Sequence, residues 1–289
     1  MPSLKALRSR IKSVKNTRQI TKTMKMVAAA KVRRARTAVE NARPYAAHLA
    51  NILGNIAVGA DNSAPLLLTG RKSVKTVALV VCGSDRGLCG GLNSNLLKAA
   101  SKWIETREAA GQTVRLVAVG RKIEAGFKSS FAEQMIKSYT DMGRNVEFAH
   151  AQTIAQEMLE QFNKGDLDEV HLMSSQMVNM LTQSPVTHQL IPFAKPERPE
   201  GGIVASAPEF EPSEETVLEH LLPLNLNMQV FTALLESAAS EQAARMTAMD
   251  SATRNAGEMI QRLSVQYNRS RQAAITKELI EIISGAEAL

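Results

Sequence analysis

Both ends of this chain carry apolar residues at the 3-4 spacing of a coiled coil, and that pairing of ends constrains the fold more than anything else in the sequence. At the amino end the stripe runs Leu4, Leu7, Ile11, Val14, then Ala28, Val32, Ala35, Val39, Ala42, Ala46, Leu49, Leu53 and Ile56. At the carboxyl end it runs Leu235, Ala239, Met246, Met249, Ala256, Ile260, Leu263, Tyr267 and Ala274. A mean spacing of about 3.5 residues keeps one helix face on a partner helix. The stripe predicts a first helix from about Ser3 to Ala57, roughly 80 Å long at 1.5 Å per residue. A second predicted helix starts at Ser213 and runs to Gly285, with Pro223 expected to kink or interrupt it. Pro44 is a possible kink in the first.

The middle of the chain reads differently. Val74–Val81 is a β-branched run, followed by the glycine-rich turn Gly83–Gly91 and a predicted helix over Leu92–Ala110. Further strands are expected at Val114–Val119, Val170–Ser174 and Val186–Phe193, with a helix over Val146–Asn163. Strands alternating with helices imply a mainly parallel sheet. The predicted fold is a long antiparallel coiled coil of the terminal helices with a central Rossmann-like α/β domain. Its divisions are 1–58 for the first helix, 74–194 for the α/β domain and 213–285 for the second helix. The Pro- and Gly-rich stretch Lys195–Pro212 reads as a linker.

Charge is uneven. Between Lys5 and Arg36 stand 12 Lys and Arg and no acid, while the whole chain carries +7, so the remainder is slightly acidic. A solvated helix face is the plain reading of that run; a partner rich in acid or phosphate is the other. In the middle of the run the apolar stripe shifts by one residue to Ile20, Met24 and Val27, while Arg18, Thr21 and Lys25 interrupt the first register. Such a shift either changes the local supercoil at a special contact or is an ordinary imperfection.

If Ile56 faces Ser213 across an antiparallel pair, Leu4 falls opposite Val265 and Met24 opposite Arg245. Everything beyond about Asn268 then lacks an intramolecular partner. That tail carries Ile275, Leu279, Ile280, Ile282 and Ile283, which favour burial by ~25 cal/mol per Å². A socket in another protein is the inference; a tail folded back on the body is the alternative. Arg271 and Gln272 would face that socket, where an arginine can grip a carboxylate with two hydrogen bonds.

No catalytic constellation appears. The turn after Val81 fits neither Gly-x-x-x-x-Gly-Lys-Ser/Thr nor Gly-x-Gly-x-x-Gly. Cys82 and Cys89 are the only cysteines and the five histidines are scattered, so no metal set, cofactor site or disulfide framework is expected. No apolar run reaches membrane-spanning length. Two rival classes remain on the residues alone: a basic coiled-coil protein that binds nucleic acid, and a small Rossmann-like enzyme with helical arms.

Four stretches narrow the choice. IKSVKNTRQITKTMKMVAAAKVRRAR at Ile11–Arg36, SDRGLCGGLN at Ser84–Asn93, and the terminal SEQAARMTAMDSATRNAGEMI and YNRSRQAAITKELIEIISGAEAL resemble the γ subunit of F-type ATP synthases, in the same order. The carboxyl end is most similar to α-proteobacterial and mitochondrial forms. Because the family motif begins almost at Met1, no transit peptide is expected and a bacterial origin fits. The resemblance implies a non-catalytic rotor shaft that couples rotation of a proton-driven c-ring to conformational change in the catalytic β subunits. Implied partners are the α and β subunits of the catalytic hexamer, the ε subunit and the c-ring, and no nucleic acid. The implied location is peripheral, on the cytoplasmic face of a bacterial inner membrane. Carried over by position, Met24 and Arg245 would lie at an acidic loop of a β subunit. Lys31, Arg33, Arg34 and Arg36 would meet acids at the mouth of the hexamer's hole. Arg271, Gln272 and Thr276 would form a polar catch near its far end. No insertion of regulatory cysteines is present, so thiol control is not implied.

Overall fold

The computed structural model describes residues 3–59, 65–142, 146–193 and 214–287. Eleven elements follow in order: α1 (Leu4–Gly59), α2 (Leu66–Thr69), β1 (Thr76–Cys82), α3 (Leu92–Ala109), β2 (Thr113–Val119), α4 (Arg121–Ser130), β3 (Met135–Tyr139), α5 (Phe148–Lys164), β4 (Glu169–Met177), β5 (Gln183–Ile191) and α6 (Glu214–Glu287). The two terminal helices pack against each other antiparallel, and the α/β elements lie between them in sequence. α6 passes through Pro223 without a break, as α1 does through Pro44. Proline costs a hydrogen bond inside a helix. Around Pro223 the buried side chains of Leu218, Leu222 and Leu226 hold the helix in place. The expected linker at Lys195–Pro212 and the helix start at Ser213 lie outside the described residues.

The chain forms two compact units, one of residues 30–244 and one of residues 1–29 with 245–289. In the larger unit the sheet order is β3-β2-β1-β4-β5, with β5 antiparallel and the other strands parallel. β1 is fully buried from Val77 through Cys82. Such an apolar run needs cover on both faces of the sheet. One face is covered by α3 and α4 through Leu96, Ile104, Ile123 and Phe127. The other is covered by α5 and by the inner parts of α1 and α6, through Leu49, Leu53, Leu222 and Leu234.

The fourth expected strand is present but antiparallel, because a short turn at Asn179–Thr182 reverses the chain: the Asn179 side-chain carbonyl accepts from the backbone N–H groups of Leu181 and Thr182 at 2.8 Å each. β3 and α4 have no counterpart among the expected elements. β3 is a five-residue edge strand of mixed polarity, and α4 contains Gly126, whose missing Cβ leaves room for Leu97.

α6 is fastened to the sheet by two buried serines. The Ser237 hydroxyl donates to the Cys82 carbonyl at 3.1 Å and the Ser240 hydroxyl to the Ser175 carbonyl at 2.7 Å. Both sites lie toward the carboxyl ends of their strands, where the parallel ladder leaves carbonyls in need of donors.

Candidate functional site

Two regions answer the expectations raised by the motifs. The first is the loop Ser84–Asn93, which closes on itself. The Asn93 carbonyl oxygen accepts from Ser84 N–H at 3.1 Å, and its amide donates to Ser84 Oγ at 2.8 Å and to Cys89 Sγ at 3.2 Å. Asp85 Oδ1 accepts from the backbone N–H of Arg121 at 3.2 Å and of Asp141 at 3.0 Å. The donor at the start of α4, where a bound phosphate would be welcome, is thus taken by the loop's own carboxylate. Gly120 at φ +100° packs on Gly83, where an added Cβ would approach the Gly83 carbonyl oxygen to 2.9 Å. The glycines serve a tight strand-to-helix turn. Cys89 is buried, and burial raises the Cys82 thiol to about 12, so neither is a ready nucleophile. Leu88, at φ 65°, is the loop's exposed apolar tip.

The second region is the two-helix unit, where the basic run lies as far as Lys25; Lys31, Arg33, Arg34 and Arg36 belong to the larger unit. The strict heptad beginning at Leu7 and Ile11 continues without a shift through Val14, Arg18, Thr21 and Lys25 to Ala28, with Leu7, Thr21 and Ala28 buried. The interruption is a polar layer in an unbroken seam, which corrects the expected change of register. Lys25 Nζ bonds Asp250 Oδ1 at 2.6 Å, the Thr253 hydroxyl donates to Thr21 Oγ1 at 2.8 Å, and Arg18 lies beside Gly257. The Lys25 ammonium, as a hydrogen-bond donor first and as a charge second, holds the Asp250 carboxyl below its ordinary range. Ile20, Met26 and Val27 are instead turned to the outside, with Ile20 59% and Val27 51% exposed.

These contacts also correct the expected pairing. Met24, beside Lys25, lies level with Asp250, more than one helical turn from Arg245, rather than opposite it. The assumed match of Ile56 with Ser213 set the wrong phase. The partnerless tail starts correspondingly later: Ala274 is half-buried, and every residue from Ile275 through Ser284 is exposed.

The other expected site residues are placed as follows. Met24 and Arg245 are half-buried, and Lys31, Arg33 and Arg34 are exposed. Arg36 pairs with Glu40 on its own helix at 2.8 Å. Arg271 and Gln272 are exposed, and the Thr276 hydroxyl donates back to the Gln272 carbonyl at 3.0 Å. Sequence reasoning missed Asp250 and the hairpin tip at Val178 and Leu181, which stands exposed beside the groove lined by Arg36, Arg43 and Glu236. Asp250 was legible as the one acid in the run Arg245–Arg254, opposite the acid-free first part of α1. Among the described residues, no group of His, Cys, Asp and Glu could hold a metal ion, and no helix is long and apolar enough to cross a membrane.

Comparison with known proteins covers the whole chain. A family model described as ATP synthase matches residues 3–289. The ATP synthase gamma chain of Methylorubrum extorquens (strain PA1) is 50% identical over 298 aligned positions, covering 100% of both chains. Among solved structures, a chain in the central stalk and c-ring of the Tetrahymena thermophila mitochondrial ATP synthase is similar, with 27% identity and a TM-score of 0.61 over 81% of this chain and 99% of that one. A chain of the Euglena gracilis mitochondrial ATP synthase shares the fold, with 22% identity and a TM-score of 0.70 over 99% of this chain and 94% of that one.

Proposed function

Because the chain belongs to the ATP synthase γ-chain family, close to α-proteobacterial members, we propose that it is the central shaft of a proton-translocating F-type enzyme. In this role it turns with a membrane c-ring and drives the catalytic β subunits through their conformations in turn. The γ chain is non-catalytic: nucleotide and catalytic residues belong to the ring of α and β subunits. The observation that carries the reading is the pair of long antiparallel helices whose outer faces keep large apolar residues uncovered, at Ile20 and Val27 and again from Ile275 to Ile283. Exposed apolar stripes of that extent mark a protein surface made for partners.

The residues then take the following parts. Met24 and Arg245 meet an acidic loop of a β subunit, from positions more than a turn apart along the helix pair. Lys31, Arg33, Arg34 and Arg36 face acids at the mouth of the hexamer. Arg271, Gln272 and Thr276 form a polar catch, and the apolar tail turns in an apolar sleeve. The α/β part, residues 74–194, together with the helices 1–58 and 213–285, makes up the three functional divisions; the α/β part docks on the ε subunit and the c-ring. The enzyme sits on the cytoplasmic face of a bacterial inner membrane.

Torque passes through shape as well as bonds. Each β conformation packs differently against an asymmetric shaft, so rotation of the shaft selects among conformations by differential contact. The test is reconstitution with the matching α and β subunits, comparing the full chain with one ending at Ala274. A stable complex with sustained ATPase, weakened by the truncation, is expected. A monomeric chain that binds DNA with steep salt dependence would overturn the reading.

A further inference from the structure

Two apolar lines compete on the first part of α1. One is the seam through Leu7, Ile11, Val14 and Ala28, which becomes polar at Arg18, Thr21 and Lys25. The other, one residue earlier, is Ile20, Met24 and Val27. Hydrophobic burial alone would favour a local turn of α1 that brings the second line inward. The structure shows the opposite arrangement, with Thr21 buried and Ile20 and Val27 outside.

What distinguishes the two is polar chemistry across the seam. Lys25 meets Asp250 at 2.6 Å, and Asp250 is further bracketed by Arg254 at 3.5 Å on its own helix. The Thr253 hydroxyl lies 2.8 Å from Thr21 Oγ1 and 2.7 Å from the Met249 carbonyl, sharing its one proton between them, and the Thr21 hydroxyl in turn reaches the Arg18 carbonyl at 3.1 Å. Turning α1 inward would separate both pairs and leave Asp250 facing apolar side chains. We propose that Lys25–Asp250 and Thr21–Thr253 form a register lock, a set of positioning residues that hold Ile20 and Val27 on the outward face of α1, with Met24 half-buried at its edge. Resting on the rotor reading, that face is the one offered to the surrounding ring. The polar layer therefore gives up seam hydrophobicity to fix orientation, the use best attested for polar residues in coiled-coil seams.

The lock is tested first on the full chain alone, so that its outcome does not depend on assembly. Val27→Cys places a thiol on the outward line, and its labelling by a water-soluble maleimide is followed against the background of the buried Cys82 and Cys89. The single variant labels fast. Adding Lys25→Glu sets a carboxylate against Asp250 and slows labelling severalfold as α1 turns, and the further change Asp250→Lys restores the fast rate. Lys25→Gln, which removes the charge without repulsion, slows labelling less and carries the comparison should Lys25→Glu lose helicity by circular dichroism. Equal labelling rates across the series, or failure of the charge swap to restore the rate, overturns the lock. In the assembled enzyme, K25E lowers ATP-driven proton pumping relative to ATPase, and K25E/D250K recovers it; pumping unchanged by K25E overturns the functional link. Failure of the unaltered chain to assemble would overturn the rotor reading and leave the labelling result standing.

Discussion

The two compact units of this chain use apolar residues in opposite ways. In the α/β unit, β1 is buried on both faces and the core reaches from Leu96 and Phe127 on one side to Ile154 and Phe162 on the other. In the two-helix unit, the buried apolar side chains among the described residues are Leu7, Ala28, Met249, Ala256 and Leu263, while ten large apolar side chains lie exposed. Small and polar residues share the seam with Leu7, Met249 and Leu263, while Ile20, Ile275, Ile280, Ile282 and Ile283 face outward. The α/β unit completes its own core. The two-helix unit is left to be completed by other proteins, so its sequence is shaped by the partner surface as much as by its own packing.

The sharpest way to break that comparison is to delete equal kinds of side chain from each unit. Phe127→Ala empties a fully buried site and is expected to cost ~3–5 kcal/mol in urea unfolding of the isolated chain. Leu279→Ala removes an exposed side chain and is expected to change chain stability by no more than ~0.5 kcal/mol, while weakening assembly with the α and β subunits. A large stability loss at Leu279 in the isolated chain would show that the tail is covered by the chain itself, and the contrast would collapse.

A somewhat smaller effect tests whether the glycine loop is structural. Gly120 combines φ +100° with the Gly83–Ser84 backbone within 3.0 Å of its missing Cβ. Gly120→Ala is therefore expected to cost ~1–3 kcal/mol of strain in the isolated chain. Gly111→Ala also carries a positive φ, +78°, but has open space around the Cβ; its smaller loss in the same unfolding measurement separates strain from crowding.

Much of this contrast was legible in the sequence. The β-branched run at Val74–Val81 specified the central strand, observed at Thr76–Cys82, and the alternation of strands and helices specified the layers. The heptads named both long helices, and the isoleucines of the tail announced a missing partner. What escaped was of two kinds. β3 has a weak local pattern, since Lys137 sits in the strand and pairing with β2 defines it; α4 is short, and its buried Ile123 and Phe127, one turn apart beside the Glu124–Lys128 pair, were passed over. The helix phase was misjudged because it was set from two assumed ends, Ile56 and Ser213, and not from complementary side chains. The Lys25–Asp250 and Thr21–Thr253 pairs do select one, and they lie in the stretch where apolar periodicity pointed elsewhere. Apolar spacing finds a seam; complementary polar residues fix its phase.

Acid sensitivity gives a third test, confined to the α/β unit. His171 is buried against Trp103, with its Nε2 2.9 Å from a Glu169 oxygen and 3.4 Å from Arg107 Nη2. Burial, more than the carboxylate can offset, lowers its proton affinity, and Arg107 lowers it further. The unfolded chain then binds more protons than the folded chain once pH falls below about 6.5, the ordinary imidazole value. Stability contributed by the neutral ring is present above that pH and lost as pH falls toward the folded value. His171→Gln keeps a donor for Glu169 but does not titrate. Its urea midpoint should change less than that of the parent chain as pH is lowered through this window. Parallel curves would sink the assignment.

The smallest expected effects fall on the most conspicuous sequence feature, the acid-free basic run. Lys31 and Arg33 are exposed, and an exposed ion pair contributes only ~0–1 kcal/mol. Lys31→Ala and Arg33→Ala should therefore leave isolated-chain stability unchanged and lower ATPase coupling little when made singly. If the run acts as a field and not through individual bonds, replacing Lys31, Arg33, Arg34 and Arg36 together should slow assembly with the α and β subunits, and added salt should mimic that slowing in the parent chain. Arg245 is different in kind, because it is half-buried and already engaged within the chain. Its charge reversal should impair ATP-driven proton pumping more than any single loss in the basic run. The reverse ranking, with Lys31 or Arg33 dominant, would mean that these exposed cations are enclosed by the partner and held by specific bonds, not by a broad electrostatic fit.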